Sequence, residues 1–234
     1  MRALTPRKDW DPQAWRSELF APIAHVLKGF EHEADWPSVA QMNARLRPRL
    51  VEALGDDAPH FEEQILTPKR RRLRVLRARA DLYDAQICLG GRIPTRAQNW
   101  HDFFNACVWA WLPRTKFALA TRQFEAACER VPEHFVTLPS VRSREQDALA
   151  LFDEGGVLRT GSSQIQIFGH AVYEHLVSHD DRIWGFDVST GYEGGDAAEL
   201  DAVLCSALRA RAWPPMGAPS KVWLQRAPKA AMLG

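Results

Sequence analysis

The segment NWHDFFNACVWAWLP, residues 99–113, constrains the fold more than any other part of this 234-residue chain. Asn99 can cap a helix and Pro113 can interrupt it, so the spacing predicts a helix from Trp100 to Leu112. On a helical wheel Phe103, Phe104, Cys107, Val108 and Trp111 form one apolar stripe. His101, Asp102 and Asn105 lie on a separate arc that ends with Trp109, which predicts a polar face with an aromatic at its rim. Such a helix needs a core around it, and a chain with 46% hydrophobic residues and nine tryptophans can supply one.

That apolar content, with a net charge of only +1, excludes a disordered chain, a collagen-like repeat and a polyanion-binding tail. No apolar run is long enough to cross a membrane, and the opening MRALTPRKDWD carries charges where a signal peptide needs an apolar stretch. A soluble, cytoplasmic protein with no membrane partner is expected. Cys88, Cys107, Cys128 and Cys205 contain no Cys-x-x-Cys pair, which predicts reduced, packing cysteines.

Asp11 and Pro12 open an expected helix that carries Trp15, Leu19, Ile23 and Val26 to about Lys28, and Trp36-Pro37 open a second that ends near Gly55. The basic run KRRRLRVLRAR, residues 69–79, leads into a helix expected to stop at Gly90-Gly91. Pro113 begins a helix predicted to reach Pro132. DALALFDEGGVL reads as a hairpin with Asp153-Glu154 at its tip. Ser163 and Gln166 read as the capping box of a helix carrying Ile165, Phe168, Val172 and Leu176. RIWGFDVS reads as a strand, and Ala197–Arg211 as a last helix before a Pro-rich tail, residues 212–234. The expected fold is a helix-rich α+β single domain over residues 1–234. It has a helical N-terminal part, residues 1–60, and a small antiparallel hairpin or sheet in the last third.

Four groups can carry chemistry. His101, Asp102 and Asn105 offer a general base or ligand pair on one helix face, although an acidic first turn and a surface histidine explain them equally. Asp147 and Asp153 share a face if the hairpin alternates, and could bind a divalent metal; a solvated turn is the plainer reading. His170 and Glu174 stand four apart and face away from their own helix's apolar line, as a surface pair would too. The run 69–79, with Arg92, Arg96, Arg114 and Lys116, could grip phosphates while exposed tryptophans stack on bases, or be a solvated face.

Three blocks, IPTRAQNWHDFFNACVWAWLPRTKFAL, DALALFDEGGVL and FGHAVYEHL, together resemble an uncharacterised, mostly proteobacterial domain-of-unknown-function family, number three-zero-two-five, over about residues 35–180. The matching positions are Pro94, Thr95, Arg96, Asn99 or Trp100, His101, Asp102, Asn105, Trp109, Pro113, Arg114 and Lys116. They continue with Asp147, Phe152, Asp153 and Glu154, then Gly169, His170 and Glu174. The resemblance implies no activity. It does place polar residue types at the three polar groups, which a motif built only for packing would not need.

The leading expectation is a hydrolase-like, metal-assisted enzyme. His101, Asp102, Asn105, His170 and Glu174 are its catalytic group, and Asp147 and Asp153 its metal ligands. Arg96, Arg114, Lys116 and Trp109 bind an anionic, phosphate-containing substrate. The alternatives are a non-catalytic module that binds nucleic acid or an acidic partner through 69–79, and a structural network pairing Asp102, Arg144 and Asp147 inside the fold. Near-neutrality is itself a cancellation: residues 64–122 carry net +9 and residues 145–201 net −10.

Overall fold

Asn99 adopts an extended backbone, and its side chain accepts from the Asp102 N–H, so a helix begins at Trp100. That helix is α4, Trp100–Trp111, and in the computed structural model it runs through the middle of the protein. The structure describes residues 9–64, 82–130, 142–161, 164–178, 183–212 and 220–224. The basic run 69–79, Ser162-Ser163 and residues 213–219 and 225–234 of the Pro-rich tail lie outside them.

Before α4 come three 3-10 segments (Pro12–Trp15, Glu18–Ile23 and Lys28–Phe30) interrupted by one α-turn, α1, Ala24–Leu27. The continuous first helix expected there does not form. Pro22 lacks the N–H that a regular α-helix would use, and the Asp11 and Ser17 side chains start short new turns. A capping box of Ser38 and Gln41 opens α2, Val39–Leu54, which ends before Gly55 at φ 89°. Strand β1 (His60–Glu63) pairs in parallel with β2 (Arg92–Thr95), and α3 (Tyr83–Gly90) lies between them in sequence. Gly91, left-handed, closes α3 at the expected place.

Pro113 begins α5, Pro113–Cys128. A capping box of Ser143 and Gln146 then opens α6, Arg144–Gly155, which passes without a loop into β3, Gly156–Thr160. The segment read as an acidic hairpin is therefore helical. Leu149 and Phe152, three apart, are buried, whereas Leu151 is exposed. The turn comes one element later, at left-handed Gly161, where β3 folds back on β4, Gln164–Ile167. Residues 164–167 are thus strand rather than helix, and the next helix, α7, starts only at His170 and ends at Val177. Strand β5 (Ile183–Ser189) lies parallel to β3, and β6 (Lys221–Leu224) antiparallel to β5, giving a four-stranded mixed sheet ordered β4-β3-β5-β6. Helix α8, Ala197–Arg209, is capped by Asp196. The α+β class holds, with a parallel strand pair in each sheet that periodicity did not announce.

Helix α4 packs against α1, α2, α5 and α7. Trp10 stacks on Trp100 at 5.1 Å, and Trp15, Trp36 and Phe103 crowd the same cluster. Trp109 is fully buried, so it is not a rim residue. The polar arc of α4 lines a cleft to which α3, α6 and α7 contribute walls, with Asp102 and Asn105 buried and His101 partly exposed. Among the described residues, no helix is long and apolar enough to cross a membrane.

Candidate metal centre

Three side chains from three helices converge in that cleft, whose volume is about 380 Å³. His101 projects from the first turn of α4, Glu154 from the end of α6, and His170 from the first position of α7. The two Nε2 atoms lie 3.0 Å apart; Glu154 Oε2 is 3.7 Å from that of His101 and 3.5 Å from that of His170. The junction allowing this is backbone against backbone. Gly169 precedes His170 and rests on the Glu154 carbonyl and Gly155, where a Cβ would come within 2.5 Å of both. The Phe168 and Gly169 N–H groups both donate to the Gly156 carbonyl, which fixes α7 against the end of α6.

Outer contacts orient the two imidazoles. His101 Nδ1 meets Glu174 Oε2 at 3.0 Å, which leaves Nε2 facing the cleft. His170 Nδ1 is buried beside Asp153; neither the carboxylate, 3.8 Å away, nor the nearby Asp153 carbonyl reaches full hydrogen-bond geometry. Asp153 forms an ion pair with Lys116, whose side chain is 98% buried and whose ammonium lies over the Trp109 and Phe168 rings. Burial, with the positive Lys116 and His101 adding to it, holds the His170 pKa well below the ordinary histidine value. Burial also opposes charge on His101, but Glu174, Glu154 and Asp102 outweigh it and raise that pKa. Burial raises Glu154 as well. Without a metal, the two facing imidazoles are therefore pushed in opposite directions, His101 towards holding a proton and His170 towards losing one.

The remaining residues divide. Asp102 lines the cleft but does not orient an imidazole: it takes a two-pronged bond from Arg96, at 2.9 Å to Nε and 2.7 Å to a terminal nitrogen, plus the Arg96 N–H. Asn105 lines the cleft and donates to the Tyr83 hydroxyl at 2.8 Å. Glu174 stands behind His101. Asp153 backs His170, and Glu154, not Asp153, completes the triangle.

Asp147 is exposed in the first turn of α6 and does not line the cleft, because on a helix it does not share a face with Asp153. Arg114 is also outside the cleft: Asp201 caps its N–H and that of Thr115, and its Nε donates to the Ala53 carbonyl. Lys116 is consumed by Asp153. Trp109 is core, and neither it nor Trp100 is available to stack on a base. Arg144 and Asp147 are both exposed, so the inward network with Asp102 does not form. Sequence reasoning passed over Tyr83, Asp84, Gln123 and Arg142, which also line the cleft. Nothing in their local spacing marks them.

No curated protein and no solved structure matches the chain. Residues 73–165 match the model of the family described as Protein of unknown function (DUF3025), so the family that the motifs from Pro94 to Glu154 resemble is the one this region matches.

Proposed function

We propose that the cleft binds one divalent transition-metal ion on His101, Glu154 and His170 and uses it for hydrolysis. The observation carrying this reading is the size of the donor triangle. Sides of 3.0, 3.5 and 3.7 Å define a circle of about 2.0 Å radius, so an ion at the roughly 2.0–2.1 Å of a zinc–nitrogen bond would lie within about 0.7 Å of the donor plane. Two imidazoles and one carboxylate are a donor set that suits zinc, and three protein ligands leave a fourth position open to water. Glu174 behind His101 supports the assignment, because metal-binding histidines ordinarily give their second nitrogen to a carboxylate. A bound ion would bring a water within reach of ionisation near neutrality and supply the nucleophile.

The anionic substrate expected from the arginines has narrower support. Arg142 stands exposed at the cleft, but Arg96 is already held by Asp102 and Lys116 by Asp153. Metal-assisted hydrolysis is thus better supported than phosphate recognition.

The test is metal analysis of the purified full chain, followed by cobalt substitution and hydrolase screening with and without chelator. One ion per chain is expected, with the visible absorption of four-coordinate cobalt, lost in His170→Gln and Glu154→Gln. Absence of stoichiometric metal, or cobalt spectra unchanged in both variants, would overturn the reading.

A further inference from the structure

Beside the triangle is a corner whose polar atoms are not used up among the described residues. Asn105 lies one turn beyond His101 on the same face of α4, which places it roughly 5–6 Å farther along the cleft wall. Its residue exposure is 7%. Nδ2 donates to Tyr83, while Oδ1 is buried and has no hydrogen-bond partner among the described residues. Native proteins seldom leave such an acceptor unmatched. The Tyr83 hydroxyl accepts from Asn105 and keeps its own proton to give. Burial and the carboxylates of Asp153, Asp84 and Asp102 hold that phenol in its neutral, donating form. The corner therefore offers a donor and an acceptor side by side.

We infer that this corner recognises a carboxamide-type group of the substrate, with the Tyr83 hydroxyl donating to its carbonyl and Asn105 Oδ1 accepting from its N–H. The inference deepens the reading of the same cleft as a metal-assisted hydrolase site and names its substrate class. Charge argues for a neutral group over a carboxylate or phosphate. Asp102 is paired with Arg96 and Asp153 with Lys116, so besides Tyr83 the remaining charged or titratable groups that line the cleft are Asp84, Glu154, His101, His170 and the exposed Arg142, a set with no surplus of positive charge to hold an anion. An anion at Asn105 would meet a lone-pair acceptor and nearby carboxylates. An amide N–H satisfies that acceptor at no cost in charge.

The experiment uses three probes of similar shape, benzamide, benzoate and phenyl phosphate, titrated by NMR into the full chain in zinc-loaded and in chelator-treated form. The chelator-treated arm removes direct zinc–anion coordination from the comparison. Benzamide is expected to bind about tenfold more tightly than either anion there, as a site with unpaired polar groups discriminates. The preference should be lost in Asn105→Leu and reduced in Tyr83→Phe, a variant that keeps the ring and removes only the hydroxyl. Equal or tighter binding of an anion, or benzamide affinity unchanged in both folded variants, overturns the inference. If zinc does not bind but the benzamide preference and its loss in the variants persist, the corner stands and the metal reading alone falls.

Discussion

His101 and His170 aim their Nε2 atoms at each other across 3.0 Å, with the ring planes 72° apart. Two nitrogens at that distance share either one proton or one cation. Glu174 decides how His101 enters the arrangement, since its carboxylate takes the Nδ1 side at 3.0 Å. Replacing it should loosen the metal without removing a ligand: Glu174→Gln is expected to weaken zinc binding about 10- to 100-fold while stoichiometry at saturation stays at one. Competition against a chromophoric chelator measures this. Unchanged affinity would mean that Glu174 plays no part in orienting His101.

Lys116 and Asp153 form an ion pair whose side chains are 2% and 16% exposed. Removing only the cation leaves a carboxylate facing aromatic rings and a neutral histidine. Lys116→Met should therefore destabilise the metal-free protein by about 3–5 kcal/mol. Adding Asp153→Asn removes the stranded charge, so the double variant should cost less than the two single losses together by about 0.5–3 kcal/mol. Urea denaturation of the four proteins closes the cycle, and strict additivity would contradict the pairing.

Local signals suffice for α4, because Asn99 and Pro113 are both at its ends in sequence as well as in space. They also foretell α3's stop at Gly91 and the strand at Ile183–Ser189. The cleft was legible only as residue types. Gly155-Gly156 resembles a turn, but the capping box at Ser143 and Gln146 keeps the chain helical up to Gly155, and Glu154 reaches His101 only from a helix end. Which cations are already neutralised is a long-range fact. The Arg114 N–H finds Asp201 87 residues away, and Lys116 finds Asp153 37 residues away. No spacing rule within a helix carries that information.

Asp84 should make the metal-free protein less stable as pH rises. Burial, reinforced by the Asp153 charge, pushes its carboxyl up to about 7. In the unfolded chain it ionises near pH 4, so between about pH 4 and 7 the native state binds more protons and loses stability with increasing pH. Above pH 7 the penalty is fully expressed. Asp84→Asn removes the ionisation, so with chelator present its melting temperature relative to the unmodified protein should rise by roughly 2–6 °C at pH 8, and by less at pH 5. A difference that is the same at both pH values would refute the assignment.

Gly169 bears on both stability and the metal centre. Its backbone, at φ −62° and ψ 111°, suits any residue, so an added methyl is opposed by contact and not by conformation. That methyl would come within 2.5 Å of the Glu154 carbonyl oxygen and the Gly155 Cα, which are main-chain atoms that no side-chain rotation can move aside. The end of α6 must then separate from the start of α7, carrying Glu154 away from His170. Gly169→Ala should destabilise the protein by about 1–3 kcal/mol. It should also weaken zinc binding by more than the fold loss explains, since a ligand set tolerates displacements of only about 0.5 Å. Gly195→Ala is the control: nothing lies within 4 Å of its Cβ position, and its stability should stay within about 0.5 kcal/mol of the unmodified protein. Melting curves and zinc competition on the two variants separate the outcomes. A Gly169→Ala protein with native zinc affinity would show that the α6–α7 contact does not set the triangle.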